Sequence, residues 1–164
     1  MILIGLGSNT PSAWGAPAAT LQAALSALAD CGVRVTAVSR FYASPAWPDP
    51  SDPPYVNAVA AVETTLAPAE LLALLHRVEA RFGRERRARN APRTLDLDII
   101  DFEGRVESGG GAPDLPHPRA QERSFVLAPL LDVAPEWVHP ASGRTGRELL
   151  AAAELGGSKA TPLD

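Results

Sequence analysis

The chain has almost no lysine. Lys159 is the single one, and arginine supplies the other 14 of its 15 basic residues. Against 19 acids the net charge is −4 and the pI about 5.4, so the broad basic face of a general nucleic-acid binder is missing. Cysteine is equally scarce. Cys31 alone excludes an intrachain disulfide, and its place at a predicted helix end reads as packing rather than chemistry. No apolar run approaches the roughly 20 residues of a membrane span. The apolar start, residues 1–6, is short and has no basic segment ahead of it, so it reads as a buried strand and not as a secretion signal. These absences predict a soluble cytoplasmic protein with neither nucleic-acid nor membrane partners.

At 164 residues and 46% hydrophobic content, one domain with a real core is expected over residues 1–164. The basic charge that does exist is local. Residues 84–93 hold five arginines, Arg84, Arg86, Arg87, Arg89 and Arg93, and arginine's planar fork suits phosphate oxygens. Directly after them comes Thr94-Leu95-Asp96-Leu97-Asp98-Ile99-Ile100-Asp101-Phe102. Apolar residues alternate with acids there, so it reads as a strand with Leu95, Leu97 and Ile99 on one face and Asp96 and Asp98 on the other. Two positions along a strand span about 6.6 Å, close enough for both carboxylates to converge on one hard cation or a close pair. Mg²⁺ is held in this way, by one or two carboxylates plus substrate phosphates. Taken alone, an Asp-x-Asp is most often the wet face of a half-exposed sheet, and an arginine run a solvated loop. Adjacent and in this order, they point to a polyphosphate held between arginines and metal.

The rest of the chain alternates in type. Residues 2–6 read as a strand, with Gly7-Ser8-Asn9 turning the chain after it. Residues 17–30 read as a helix with Leu21, Ala24, Leu25 and Leu28 on its apolar face and Gly32 as its stop. Residues 33–42 alternate as one strand, and residues 55–64 as another. Between them, residues 44–54 carry five prolines and Trp47, which forbids a regular element and leaves a stiff loop. Tyr55 and Asn57 share a strand face, offering a ring for stacking beside an amide for hydrogen bonds; a strand-edge tyrosine beside a turn asparagine is the plainer reading. Residues 68–82 form the clearest helix, with Leu71, Leu72, Leu75, Val78 and Phe82 buried and Gly83 at its end. Glu79 lies near that end, where the helix dipole disfavours a carboxylate, so a salt bridge to a nearby arginine is expected. His117 stands between Pro116 and Pro118 and has little backbone freedom. Residues 124–131 read as a short helix limited by Pro129. Thr145 and Glu148 form a capping box for a last helix through residue 153, and residues 156–164 are expected to fray. Amphipathic strands that do not alternate regularly with helices favour an α+β fold with a mainly antiparallel sheet.

Pro92-Arg93-Thr94-Leu95-Asp96-Leu97-Asp98-Ile99-Ile100 resembles the signature of the 6-hydroxymethyl-7,8-dihydropterin pyrophosphokinase family of folate biosynthesis. Gly7-Ser8-Asn9, Phe41-Tyr42-Ala43-Ser44-Pro45, Tyr55-Val56-Asn57-Ala58, Gly83-Arg84, Leu115-Pro116-His117-Pro118 and the stretch from Arg123 to Leu130 resemble the family as well, in family order and over nearly the whole chain. The resemblance implies a ferredoxin-like, three-layer α/β/α sandwich. It also implies transfer of pyrophosphate from ATP to 6-hydroxymethyl-7,8-dihydropterin with release of AMP.

By the same resemblance Asp96 and Asp98 hold two Mg²⁺ ions, and Arg84 and Arg93 contact the phosphates as catalytic residues. His117 and Arg123 belong to the ATP site. Tyr55 and Phe125 sandwich the pterin, Asn57 reads its edge, and Ser44, Pro45 and Trp47 lie along its wall. A monomer is expected. Many family members have Trp-Gly before Pro-Arg where this chain has Asn90-Ala91, so a tryptophan lid is not available from that loop. Two rival readings use the same residues. A nucleotidyltransferase also combines Gly-Ser with Asp-x-Asp, though there the two lie close in sequence, and it would leave AMP on its acceptor. A non-catalytic nucleotide- or pterin-binding module would bind ATP without turnover.

Overall fold

The computed structural model describes residues 1–46, 49–83, 94–110 and 113–163. Along these the elements run β1 (Ile2–Ser8), α1 (Pro17–Asp30), β2 (Arg34–Val38), β3 (Tyr42–Ser44), β4 (Tyr55–Glu63), α2 (Pro68–Arg81), β5 (Asp96–Phe102), α3 (Ser124–Val133), α4 (Gly146–Leu155) and β6 (Thr161–Pro162). A 3₁₀ turn, Ala120–Glu122, leads into α3. The strands make one sheet in the order β5-β1-β4-β3-β6, with β2 pairing β4 beyond β3, and each described pairing is antiparallel.

Period-two alternation sends each strand's side chains to two different cores. Ile2, Ile4 and Leu6 of β1, Ala58, Ala60 and Val62 of β4, and Leu97 and Ile99 of β5 meet Leu21, Leu28, Leu71, Leu75 and Val78 from α1 and α2. On the opposite face Leu3, Val59, Ala61 and Ile100 meet Leu127 and Leu130 of α3, Trp137, and Leu149 and Ala153 of α4. Helices cover both faces, so this is the α+β, ferredoxin-like three-layer sandwich. β5 changes face partway along. A register shift between Leu3 and Ile4 of β1 lets both Ile100 and Asp101 point toward α3.

Several expectations change at element ends. Gly7 and Ser8 continue β1 instead of turning the chain. The single strand over 33–42 is two strands, β2 and β3, both paired with β4. At the break Ser39 donates its N–H to Val59 O and accepts Val59 N–H on its own Oγ, both at 2.9 Å, so a side chain replaces one ladder bond. Pro129 does not limit α3. It lies buried inside the helix, which continues to Val133 on the strength of its packed face. Cys31, at the C-terminal cap of α1, is exposed rather than packed. The chain end predicted to fray is tied down. Thr161–Pro162 pairs β3, Leu163 N–H reaches Phe41 O at 2.8 Å, and Ser158 Oγ lies 2.8 Å from Ser124 Oγ. Its composition carries no apolar period; its order comes from long-range backbone pairing.

Among the described residues no helix is long and apolar enough to cross a membrane.

Candidate active site

The site grows from two glycines. Gly7 of β1 pairs Asn57 on one side and Asp96 on the other, and Gly5 likewise pairs Val59 and Asp98. Directly paired residues share a sheet face, so Gly5, Gly7, Asn57, Asp96 and Asp98 all point toward the α3 side. Strands lie about 4.8 Å apart; Asn57 and Asp96 therefore stand roughly 9.6 Å apart in backbone terms, with no side chain between them. A Cβ on Gly7 would sit 3.4 Å from Asn57 Oδ1, and one on Gly5 3.3 Å from Ile100 Cδ1. The gap is the floor of a cavity of about 290 Å³.

One end of the cavity is built for a flat, polar-edged ring. Tyr55 and Phe125 are half-buried on its walls. Asn57 is buried, and its Nδ2 donates to Ser44 Oγ at 2.8 Å. That bond fixes the amide and leaves Oδ1 toward Gly7, so Ser44 acts through its side chain here as well as lining the cavity beside Pro45. Phe125 opens α3, with the Arg123 guanidinium 5.6 Å above its ring. The N-terminus of α3 has no cap from its own preceding residue; Ser158 Oγ accepts the Ser124 N–H at 3.0 Å instead. The far side of α3 is held by Asp132, which accepts from Arg40 Nε and Nη2 at 3.2 and 3.1 Å and from Tyr42 OH at 3.0 Å. This network joins the helix carrying Phe125 to the strand carrying Ser44.

The other end is acidic. Asp96 and Asp98 are half-buried and face the cavity, and the Asp98 side chain is 45% exposed. Among the described residues β5 is an edge strand, so its outward N–H groups need partners from elsewhere. Glu79 of α2, 1% exposed, supplies one: its Oε2 accepts the Leu97 N–H at 3.0 Å. The helix thus grips the residue between the two aspartates. Charge alone suggested a salt bridge for Glu79; its role as a cover for the strand edge depends on a contact 18 residues away and carries no local signal.

His117 is positioned by backbone. Its N–H donates to Ile100 O at 2.8 Å, and its Nδ1 accepts the Arg119 N–H at 3.2 Å. Burial pushes its pKa below 6.5, as do the charges of Arg123 and Arg119, against the opposing pull of Asp98 and Asp96. The neutral ring accepting on Nδ1 carries its proton on Nε2. Nε2 lies 3.9 Å from Asp98 Oδ2, which for a neutral imidazole is neither an ion pair nor a hydrogen bond.

The structure brings together Ser44, Pro45, Tyr55, Asn57, Asp96, Asp98, His117, Arg123 and Phe125 on one cavity. Arg84, Arg93 and Trp47 lie outside the described residues. Gly5 and Arg119, which also line the cavity, had no motif to mark them. Among the described residues no group of three or more His, Cys, Asp or Glu side chains forms a ready-made metal cage. Two accessible carboxylates with room beside them fit a hard divalent cation that completes its shell with water and phosphate.

Comparison with known proteins agrees with this architecture. Residues 3–135 match the model of the 7,8-dihydro-6-hydroxymethylpterin-pyrophosphokinase (HPPK) family. A 2-amino-4-hydroxy-6-hydroxymethyldihydropteridine pyrophosphokinase of Pseudomonas aeruginosa is 41% identical over 164 residues, covering 98% of this chain and 96% of that one. The protein of the same name from Synechocystis is 40% identical over 149 residues, covering 90% and 73%. Among solved structures, Plasmodium falciparum HPPK-DHPS with pterin and p-hydroxybenzoate superposes with a TM-score of 0.74 at 12% identity, over 92% of this chain and 43% of that one. The wild-type form gives 0.71 at 13%, over 92% and 40%. The chain spans about two fifths of those structures, and they speak for the fold alone. The chain belongs to the 7,8-dihydro-6-hydroxymethylpterin-pyrophosphokinase family.

Proposed function

We propose that the glycine-floored cavity is where this chain moves pyrophosphate from ATP to the hydroxymethyl group of 6-hydroxymethyl-7,8-dihydropterin. As a family member the chain is an enzyme of pyrophosphoryl transfer in folate biosynthesis, with ATP as co-substrate. One observation carries the assignment of the site: Asn57 and Asp96 flank the bare Gly7 across the sheet. An amide that can read a pterin edge faces hard oxygen ligands across a gap with no side chain.

Tyr55 and Phe125 sandwich the pterin. Asn57 Oδ1 accepts from its edge, held by Ser44, while Pro45 and Trp47 complete the wall. His117 offers Nε2–H to a phosphate oxygen, and Arg84, Arg93 and Arg123 bind the polyphosphate. The hydroxymethyl oxygen attacks the β-phosphorus. The new O–P bond forms as the bond to the α,β-bridging oxygen breaks, AMP leaves with that electron pair, and the hydroxyl proton passes to solvent. Asp96 and Asp98 would hold two Mg²⁺ ions, which supply charge neutralisation and orientation to such a transfer. Holding both substrates in this geometry, with donors preorganised for the developing charge, is the main contribution of the protein. One chain carries all these walls, which supports a monomer as the working unit, and dependence on ATP fits a cytoplasmic setting.

The test combines protein, Mg²⁺, ATP and the pterin and follows AMP by chromatography, with Asp96→Ala and Asp98→Ala in parallel. AMP that requires the pterin and falls by at least about 100-fold in either variant is the expected result. AMP retained in both variants would overturn the ligand assignment. Pyrophosphate release with AMP left on the acceptor would overturn the reaction in favour of nucleotidyl transfer.

A further inference from the structure

Arg119 was passed over by every motif, yet it lines the same cavity as Asp96, Asp98, His117 and Arg123. We propose that Arg119 is a further polyphosphate-binding residue, which engages the triphosphate of ATP from the His117 side. The inference rests on the pyrophosphokinase reading and deepens it.

Three observations carry it. The first is that the guanidinium is uncommitted. Arg34 pairs with Glu63, Arg40 with Asp132 and Arg105 with Glu103 and Glu107, and Arg123 lies over Phe125. The Arg119 side chain has no hydrogen-bond or ion-pair partner among the described residues, although two carboxylates line the same cavity. An arginine left open at the edge of a cavity is a binding group in waiting, since its fork can meet two phosphate oxygens at once.

The second is that its backbone is fixed while its side chain is free. The Arg119 N–H donates to His117 Nδ1 at 3.2 Å, its carbonyl accepts the Glu122 N–H at 3.2 Å, and the neighbouring Ala120 is buried. The side chain itself is exposed and can swing onto a ligand without moving the fold. The third is position. The segment is anchored to β5 through His117 N–H and Ile100 O, on the aspartate side of the glycine floor. Asn57 and Ser44 stand across it on β4 and β3. A phosphate ligand is therefore within its province and the pterin ring is not.

The experiment measures binding of α,β-methylene-ATP with Mg²⁺, an analogue whose α,β bridge cannot be broken, and separately of 6-hydroxymethyl-7,8-dihydropterin. Wild type, Arg119→Ala and Arg119→Lys are compared by calorimetry, and wild-type AMP formation is run alongside. A charge-assisted hydrogen bond lost to truncation corresponds to roughly a tenfold or larger rise in Kd. Arg119→Ala is expected to show that rise for the nucleotide, and the same rise in KM for ATP, while pterin Kd stays within about twofold. Arg119→Lys is expected to recover part of it, as a point charge without the fork. Unchanged nucleotide affinity in Arg119→Ala, with wild type active, would overturn this proposal and leave the pyrophosphokinase reading standing. An equal loss for nucleotide and pterin would overturn it too, because that is the mark of a disturbed fold. Absence of AMP from the wild type would remove the functional reading, and this inference with it.

Discussion

Glu79 Oε2 accepts the N–H of Leu97 at 3.0 Å, so a buried carboxylate from α2 holds the one residue that separates Asp96 from Asp98. The rotation of β5 about its own axis decides whether the two aspartates face the cavity. This contact fixes that rotation from behind, on the side where, among the described residues, no strand pairs with β5. Replacing Glu79 with Leu leaves a buried donor unpaired, which costs about 1–3 kcal/mol; Glu79→Gln keeps an acceptor and is expected to recover most of it. Urea unfolding of the two variants checks this. Equal stability of Leu and Gln variants would mean that the Leu97 bond contributes nothing.

The bare floor makes its own prediction. Valine suits a strand, so Gly7→Val is expected to fold, yet its methyl groups would enter the gap beyond a Cβ that would itself sit 3.4 Å from Asn57 Oδ1. Pterin binding should weaken by roughly tenfold or more, on the scale of one overfilled site, while the melting temperature changes little. Titration of the pterin followed by fluorescence would show it. Undiminished binding would mean that the ring does not lie over Gly7.

Asp101 and Trp137 tie β5 to the second core. Trp137 Nε1 donates to Asp101 Oδ2 at 2.7 Å, and Gly104 N–H donates to Oδ1 at 2.8 Å. Trp137→Phe removes one donor from a buried carboxylate and should cost about 1.5–3 kcal/mol. Asp101→Asn keeps an acceptor for the indole but turns its NH2 toward the Gly104 N–H, donor against donor, and should cost at least as much. Thermal melts of the pair, compared with the double variant, measure their coupling.

His139 makes stability depend on pH. Burial beside Trp137 pulls its pKa below the usual 6.5, and nearby Asp101 only partly offsets this. Below 6.5 the unfolded chain takes up a proton that the folded chain refuses. The contribution of His139 is therefore complete above that value and is lost as pH falls toward the depressed folded pKa. His117 shifts in the same direction, so the informative comparison is between wild type and His139→Gln. The variant should lose less stability between about pH 7.5 and 5.5. Parallel pH profiles would show that His139 is not responsible.

Local patterns were legible from the chain because they depend on local geometry. The 3.6 period of residues 17–30 and 68–82 places α1 and α2 within one residue of their observed ends. Alternation along residues 95–99 puts Asp96 and Asp98 on the face opposite Leu97 and Ile99, as β5 has them. The capping box at Thr145 and Glu148 starts α4, with both reciprocal bonds formed. Family resemblance then named residues from four elements, β3, β4, β5 and α3, and from the loops beside them, that meet at one cavity.

Tertiary structure decided what the chain could not announce. The break between β2 and β3 exists because both must pair with β4 in a shifting register. The last residues are ordered because β3 offers them an edge. Glu79 covers a strand, Ser158 caps a helix 34 residues away, and Gly5 and Gly7 become a floor, each through contacts far apart in sequence. Periodicity records which way a side chain points, since that follows from one residue's backbone geometry. It holds no record of which distant donor, edge or gap will stand opposite, because that is settled only when the sheet closes and the helices pack onto its two faces.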